Sequence, residues 1–274
     1  MKTRPLPSTC CCDHSALQRA AAPCLETRRS LIGKLLAGGV AALPILMARE
    51  AQADPFRPGV AEQRRIGQQA AQEILQKYRE VRDSRARDFQ RVGFRLVEAL
   101  PPAEQTRWDY TFRVLESREV NAFALPGGPM FIYTGLLERI HSVDALAAVT
   151  AHEIAHVRGE HWARQVEKQQ KQRLGIGLLL GLTRANRDLQ QLAFSVDALL
   201  ALQYSRGDEF NADERGLQNM EAARFDPHGM IELFELLQKA SGGREGGISF
   251  LRTHPLTRDR IARVRAYIAR RTGE

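Results

Sequence analysis

The chain has 274 residues, of which 43% are hydrophobic and 26% are charged, so its composition indicates a globular protein and excludes wholesale disorder. Its formal net charge is +8, but seven basic and three acidic residues precede position 54, which leaves about +4 for the remainder. An excess this small, with basic and acidic side chains mixed along the sequence, is typical of a solvated surface. We therefore expect no nucleic-acid partner.

Residues 1–53 are predicted to be a twin-arginine-type signal segment, followed by a single domain over residues 54–274. The pair Arg28-Arg29 precedes an apolar run at 35–47, and a small-x-small site at 51–53 precedes Asp54. The run is shorter than the roughly 20 apolar residues that a spanning helix needs, so an uncleaved anchor is the weaker interpretation. We expect an exported protein, located in the periplasm or another exported compartment.

All four cysteines lie within this segment, at positions 10, 11, 12 and 24. The exported domain would therefore form no disulfides, even in an oxidising compartment. Any metal ligands in that domain would have to be histidines or carboxylates.

Apolar residues at helical spacing predict two helices within residues 60–99, with a break near Asp83. From Tyr110 the period changes to two, which predicts short strands at 110–114, 120–125 and 130–133, and we interpret these as a small antiparallel sheet. Helical spacing returns after Ser142, which is a suitable N-cap. The helices predicted from there on cover residues 143–174, 192–219, 230–240 and 258–271.

The segment 174–182 is apolar and rich in glycine. Nine residues are too few to span a bilayer. Three interpretations stay open: a patch that touches a membrane surface peripherally, a mobile flap over a site, or a core segment loosened by glycine.

His152, Glu153 and His156 form an H-E-x-x-H pattern inside the helix predicted from residue 143. Four residues advance a helix by one turn plus about 40°, so both imidazoles can bind one tetrahedral metal while Glu153 reaches a water molecule on it. Both histidines continue the apolar stripe of Ala145 and Val149, so they face inward. A pair of hydrogen-bonded core histidines is the alternative, but it leaves Glu153 buried without a partner.

A catalytic zinc usually has three protein ligands, so a third is expected from another helix. Glu209 and Asp213 lie four residues apart on one predicted helix face, with the small Ala212 beside them. We assign Glu209 to the metal. Asp213 is expected to accept a hydrogen bond from a ligand imidazole.

Four sequence features resemble the zinc peptidase family that includes the CAAX prenyl endopeptidases, HtpX and BepA, a gluzincin family. They are the segment 121–128, the H-E-x-x-H helix, Ser205-Arg206 leading into E-x-x-A-D at 209–213, and Thr253-His254-Pro255. The resemblance implies an α+β, predominantly helical, zincin-like metallopeptidase domain with one Zn²⁺ per chain. It also implies that Glu209, rather than Asp208, is the third zinc ligand.

His254 has three interpretations. By resemblance to periplasmic members it is a fourth ligand that keeps the enzyme latent, or it stabilises the oxyanion after its loop moves. In the third interpretation it is an ordinary loop histidine before a proline. His161 lies about 140° from His156 along a continuous helix, so we predict that it is a surface residue.

The sequence therefore predicts an endopeptidase that acts on misfolded or unassembled envelope proteins, with Glu153 as general base. His254 or Arg206 is expected to stabilise the oxyanion. An edge strand is expected to bind substrate as an added strand, through Asn121, Ala122, Phe123 and Ala124. The competing hypotheses are a zinc-containing chaperone or assembly factor that acts by binding, and a helical adaptor in which H-E-x-x-H is accidental.

Overall fold

The computed structural model describes residue 54 and residues 56–179, 195–242 and 247–272. The predicted signal segment, with its cysteines, lies outside the described residues, and so does the end of the apolar segment 174–182. The division at position 53 and the peripheral membrane contact therefore stay predictions. None of the helices in the described part of the chain has the length and apolar character to cross a membrane.

The first half of the described chain contains both helices and all of the strands found in it. The elements are α1 (Val60–Lys77), β1 (Glu80–Val81), α2 (Ser84–Glu98), α3 (Pro102–Gln105), β2 (Thr111–Leu115), β3 (Ala122–Ala124), β4 (Pro129–Tyr133) and α4 (Thr134–Leu137). The predicted break near Asp83 is confirmed: its carboxylate accepts a hydrogen bond from the Ala86 backbone and caps α2.

The second half of the described chain is helical. Its elements are α5 (Val143–Arg158), α6 (His161–Leu179), α7 (Val196–Leu200), α8 (Arg206–Ala222), α9 (Gly229–Ala240), α10 (Ser249–Thr253) and α11 (Arg258–Thr272). Two helices are shorter in the structure than the sequence predicts. The helix from Val143 ends at Arg158 because Glu160 has a positive φ of 50°, and the helix predicted over 192–219 is interrupted between α7 and α8.

The four strands form one sheet in the order β1-β2-β4-β3. The prediction of an antiparallel sheet is wrong for the central pair, because β2 and β4 run parallel. After β2 the chain crosses over to form the edge strand β3. The hairpin that follows then places β4 between β3 and β2. Alternating hydrophobicity shows that each segment is a strand, but it does not show which strands are neighbours.

Both faces of the sheet are buried. Phe112 and Ile132 belong to the main core with α2 and α5, whereas Phe131 and Tyr133 pack on the other face with Ile74 of α1. All five residues of β4 are buried. The sheet is therefore a middle layer, with the short strand β3 left as its edge beside α5.

The centre of the domain is α5, which contacts α2, α8, α9 and β3. Every residue from Ala145 to Val157 is buried. Its first turn is capped by Ser142, whose hydroxyl accepts a hydrogen bond from the Ala145 backbone at 3.0 Å, as predicted. A helix enclosed on all sides holds its side chains in fixed positions, which suits a site that requires convergent groups.

Candidate active site

The side chains of His152, His156, Glu209 and His254 converge in the interior between α5, α8 and the end of α10. Each contributes one nitrogen or oxygen, and these four atoms all lie within 4.8 Å of one another. The four residues are only 1–2% exposed. Because carboxylates and unpaired imidazoles are costly to bury, such a cluster needs a compensating partner.

The spacing of these atoms matches the edges of a small coordination tetrahedron. A metal with ligands at about 2.0–2.1 Å keeps tetrahedral donors about 3.3–3.4 Å apart. The Nε2 atoms of His152 and His156 are 3.1 Å apart, and His156 Nε2 lies 3.3 Å from Glu209 Oε1. The His254 Nδ1 atom lies 3.4 Å from His152 Nε2 and 3.1 Å from Glu209 Oε1. These four distances suit a metal ion with three nitrogen ligands and one oxygen ligand, as in a tetrahedral zinc site.

Glu209 is positioned by the first turn of α8. Ser205 and Asp208 form a capping box, in which the Ser205 hydroxyl accepts from the Asp208 backbone and the Asp208 carboxylate accepts from the Ser205 backbone. Ala212 is fully buried one turn later, which permits the close approach of α8 to α5. Burial alone would raise the pKa of Glu209, but His254 and Arg260 hold it well below its usual range.

Arg260 is a buried residue of this site that the sequence analysis missed. Its guanidinium donates two hydrogen bonds to Asp213, both at 2.7 Å, and Nη1 lies 2.5 Å from Glu209 Oε2. These carboxylates raise the pKa of Arg260 despite its burial. The sequence did contain a signal for such a residue. Glu209 and Asp213 lie four residues apart on a buried helix face, and two buried carboxylates require a cation beside them.

Asp213 lies beside the imidazole of His152. Its Oδ1 atom is 3.0 Å from His152 Nδ1. Burial would lower the pKa of His152, but hydrogen bonds with Asp213 and Glu209 raise it to about 9. Arg260 and His152 in turn lower the pKa of Asp213 against the effect of burial. His152 is thus tied to the charged network around Arg260.

The prediction that His161 is a surface residue is wrong. His161 is fully buried, and its Nδ1 atom lies 2.8 Å from His156 Nδ1. Burial lowers the pKa of His161 to about 4. The prediction extended the phase of α5 through Gly159 and Glu160, but the chain turns there and α6 begins at His161.

Glu153 lies next to the cluster without being one of its four members. Its Oε2 atom accepts a hydrogen bond from the Ala124 backbone at 2.9 Å, and Oε1 lies 3.7 Å from His254 Nε2. Among the described residues Oε1 has no hydrogen-bond donor. Burial raises the pKa of Glu153. One carboxylate oxygen is therefore fixed by the sheet, while the other is available for proton transfer.

Two aromatic rings enclose the histidines of the cluster. Phe250 stacks on His254 with ring centroids 4.7 Å apart, and the His254 backbone donates to the Phe250 carbonyl. Tyr204 lies over His156, with ring centroids 4.1 Å apart, and is 5.2 Å from His254. His254 is therefore a buried member of the cluster in this conformation and not an ordinary loop histidine.

The remaining candidate residues fall into two groups. Ala122, Phe123 and Ala124 form β3, the edge strand beside α5, and Asn121 precedes it. Arg206, in contrast, is exposed at the first residue of α8, and within the described chain the guanidinium that contacts Glu209 belongs to Arg260. The structure thus brings the edge strand to the site and leaves Arg206 on the surface.

The fold and this site define a zincin-like metallopeptidase domain, in which a buried helix carries both histidines and the Glu153 carboxylate, and a second helix supplies another carboxylate. The chain belongs to peptidase family M48, whose family model matches residues 83–268, more than half of the chain. That match excludes an accidental H-E-x-x-H in a helical adaptor.

The names of two curated relatives describe a metalloendopeptidase and a protease. The mitochondrial metalloendopeptidase OMA1 of Schizosaccharomyces pombe is 33% identical over 180 residues, which is 65% of this chain and 51% of that protein. The beta-barrel assembly-enhancing protease of Escherichia coli is 30% identical over 182 residues, which is 64% of this chain and 37% of that protein. The chain thus spans about half or less of the length of these relatives.

Proposed function

We propose that this protein is a zinc-dependent endopeptidase of the cell envelope. The observation that carries the proposal is the position of Glu153, whose free carboxylate oxygen lies beside the four-residue cluster while its other oxygen is held by β3. A carboxylate in this position can accept a proton at the place where a metal activates water.

Zinc is the metal that the donor set favours. Three imidazole nitrogens and one carboxylate oxygen at tetrahedral spacing suit Zn²⁺, whereas Mg²⁺ and Ca²⁺ prefer six or more oxygen ligands. Redox chemistry is not needed for peptide hydrolysis, and zinc has none. We therefore assign one Zn²⁺ per chain to His152, His156 and Glu209, with His254 as a fourth ligand in this closed conformation.

A zinc ion at the cluster would supply Lewis acidity, which lowers the pKa of water and polarises a peptide carbonyl. Glu153 accepts the proton of the attacking water at Oε1 and returns it to the leaving amine. Its raised pKa favours holding that proton between the two steps. Four protein ligands would fill a tetrahedral site, so we propose that His254 moves away from the cluster during catalysis, and its Nε2 would then be a candidate oxyanion donor.

The edge strand β3 is the proposed substrate-binding element. Asn121 and Leu125 form backbone hydrogen bonds to β4, so by the two-residue period the backbone groups of Ala122 and Ala124 face away from the sheet. An extended peptide can pair with these groups through its own backbone. This recognition demands little of the substrate sequence, which suits misfolded or unassembled proteins.

The proposed compartment is the periplasm, reached through a twin-arginine signal. Two observations support it: the sequence pattern at 28–53, and the 30% identity with a beta-barrel assembly-enhancing protease. We propose envelope proteins or peptides as substrates, peripheral membrane contact through residues 174–182, and no nucleic-acid partner.

The decisive experiment compares Glu153→Gln with wild type in the purified full-length protein. We expect equal zinc content by elemental analysis and a fall in the rate of casein or peptide cleavage of about 10²–10⁴-fold. The matched control is Glu62→Gln, an exposed glutamate in α1, which should keep full activity. Cleavage by Glu153→Gln at the wild-type rate would refute the proposed mechanism.

The chaperone hypothesis has a separate test. The closed cluster, with four buried protein groups and no open position, favours that alternative more than any other feature. The Glu153→Gln variant is expressed in a strain that lacks the protein and has an envelope phenotype. Complementation equal to that by the wild-type protein would support a binding function. Loss of both cleavage and complementation would exclude it.

A further inference from the structure

We propose that His161 is a positioning residue that selects the tautomer and orientation of His156 for metal binding. The inference rests on the proposed metal site and adds to it a residue that no part of the H-E-x-x-H motif includes. It is carried by the pair of Nδ1 atoms of His156 and His161, which lie 2.8 Å apart in the protein interior.

A proton count across this pair leaves one arrangement for neutral rings. The Nε2 atom of His161 lies 3.1 Å from Asn211 Oδ1, a carbonyl oxygen that only accepts, so His161 carries its proton on Nε2. Its Nδ1 atom is then an acceptor. The hydrogen bond to His156 must therefore be donated by His156 Nδ1–H.

The consequence for His156 is that its lone pair lies on Nε2. This is the atom that faces the cluster, 3.1 Å from His152 Nε2 and 3.3 Å from Glu209 Oε1. An imidazole ligand binds a metal through an unprotonated nitrogen, and the hydrogen bond of its other nitrogen determines which one that is. His161 thus does for His156 what Asp213 does for His152, but with a neutral group.

The chain turn before α6 is built to place this ring. Glu160, with its positive φ, accepts hydrogen bonds from Gln63 at 3.0 Å and from Arg107 at 2.9 Å, which fix the turn. A Cβ atom at Gly159 would lie only 2.2 Å from His161 Nε2. Only glycine allows the imidazole to pack against the backbone here, so the turn and the ring position belong together.

The test compares two substitutions of His161 in the purified full-length protein. His161→Asn keeps an acceptor one bond from Cγ, where Nδ1 was, and His161→Leu has similar bulk without an acceptor. We expect the zinc dissociation constant, measured by chelator competition, to rise about 10–100-fold in His161→Leu. In His161→Asn it should stay within about threefold of wild type. His228→Asn, at an exposed histidine, is the matched control.

A second readout separates positioning from packing. In the ¹⁵N-histidine-labelled, metal-free protein, long-range ¹H–¹⁵N spectra should show His156 protonated at Nδ1 in wild type and His161→Asn. In His161→Leu we expect a mixture of the Nδ1–H and Nε2–H tautomers of His156. Equal zinc affinity in wild type and His161→Leu, or equal weakening in both variants, would overturn the inference and leave the proposed function standing. Wild-type protein that binds no zinc would overturn both.

Discussion

His152 and His156 lie one turn apart on α5, yet the Nδ1 atom of His152 lies beside a charged group and that of His156 beside a neutral one. His152 faces Asp213, which is held by Arg260, whereas His156 faces the neutral ring of His161 and, beyond it, Asn211. The pKa values follow this difference: that of His152 is raised to about 9 by Asp213 and Glu209, and burial lowers that of His156 well below its usual range. One side of the site balances buried charges directly at His152, whereas on the other side a neutral imidazole lies between His156 Nδ1 and the Asp208 carboxylate, whose Oδ1 is 3.9 Å from His161 Nε2.

The largest effect is expected from a substitution on the charged side of the site, which consists of His152, Asp213 and Arg260. Arg260→Met removes the guanidinium that contacts the buried carboxylates of Glu209 and Asp213, and removal of one partner from a buried ion network costs about 3–5 kcal/mol. We expect this loss in urea unfolding of the metal-free protein. Arg263→Met, which removes only an exposed guanidinium stacked on Phe210, should cost about 1 kcal/mol or less. Equal losses for the two variants would show that the buried network contributes no special stability.

A smaller effect is expected when a methyl group is added on the neutral side of the site, which consists of His156, His161 and Asn211. In Gly159→Ala the new methyl group meets the buried His161 ring, and overpacking of this kind costs about 1–3 kcal/mol. The displaced ring should also weaken zinc binding. Gly175→Ala in α6, where a Cβ atom meets nothing within 4 Å, should be neutral or slightly stabilising. Unchanged zinc affinity in Gly159→Ala would mean that the position of His161 is not critical.

The smallest expected effect lies at the outer end of the neutral side. Asn211→Ala removes the acceptor for His161 Nε2, and loss of one such hydrogen bond costs about 1 kcal/mol. Asn211→Asp keeps an acceptor and should stay closer to wild type. The stabilities can be compared by thermal unfolding of the metal-free proteins. A loss for Asn211→Ala as large as that for Arg260→Met would contradict the distinction between the two sides.

The helix α5 and the side chains it presents could be predicted from sequence because all the information is local. Ser142 marks the first turn, and a single helical period places His152 and His156 on the buried stripe. The same reasoning failed five residues later at His161. Helical phase is lost at a turn, and the sequence Gly159-Glu160 does not show in which direction the next helix leaves.

The parts that could not be predicted depend on contacts between distant segments. Arg260 looks like any other arginine of a basic terminal helix, and only the packing of α11 on α8 brings it to Asp213. The parallel pairing of β2 with β4 likewise depends on where the chain returns after β3. Such contacts have no local periodicity, so they leave no trace in a pattern of apolar residues.

The hydrogen bond between Ala124 and Glu153 links two steps that are usually considered separately. The amide hydrogen that holds the general base is also one of the outward-facing groups to which an added strand would bind. A docked polypeptide and the Glu153 carboxylate therefore compete for the same backbone N–H. Under the proposed function, the base is tethered while the cleft is empty and gains freedom of movement only as the substrate's own backbone takes over its donor.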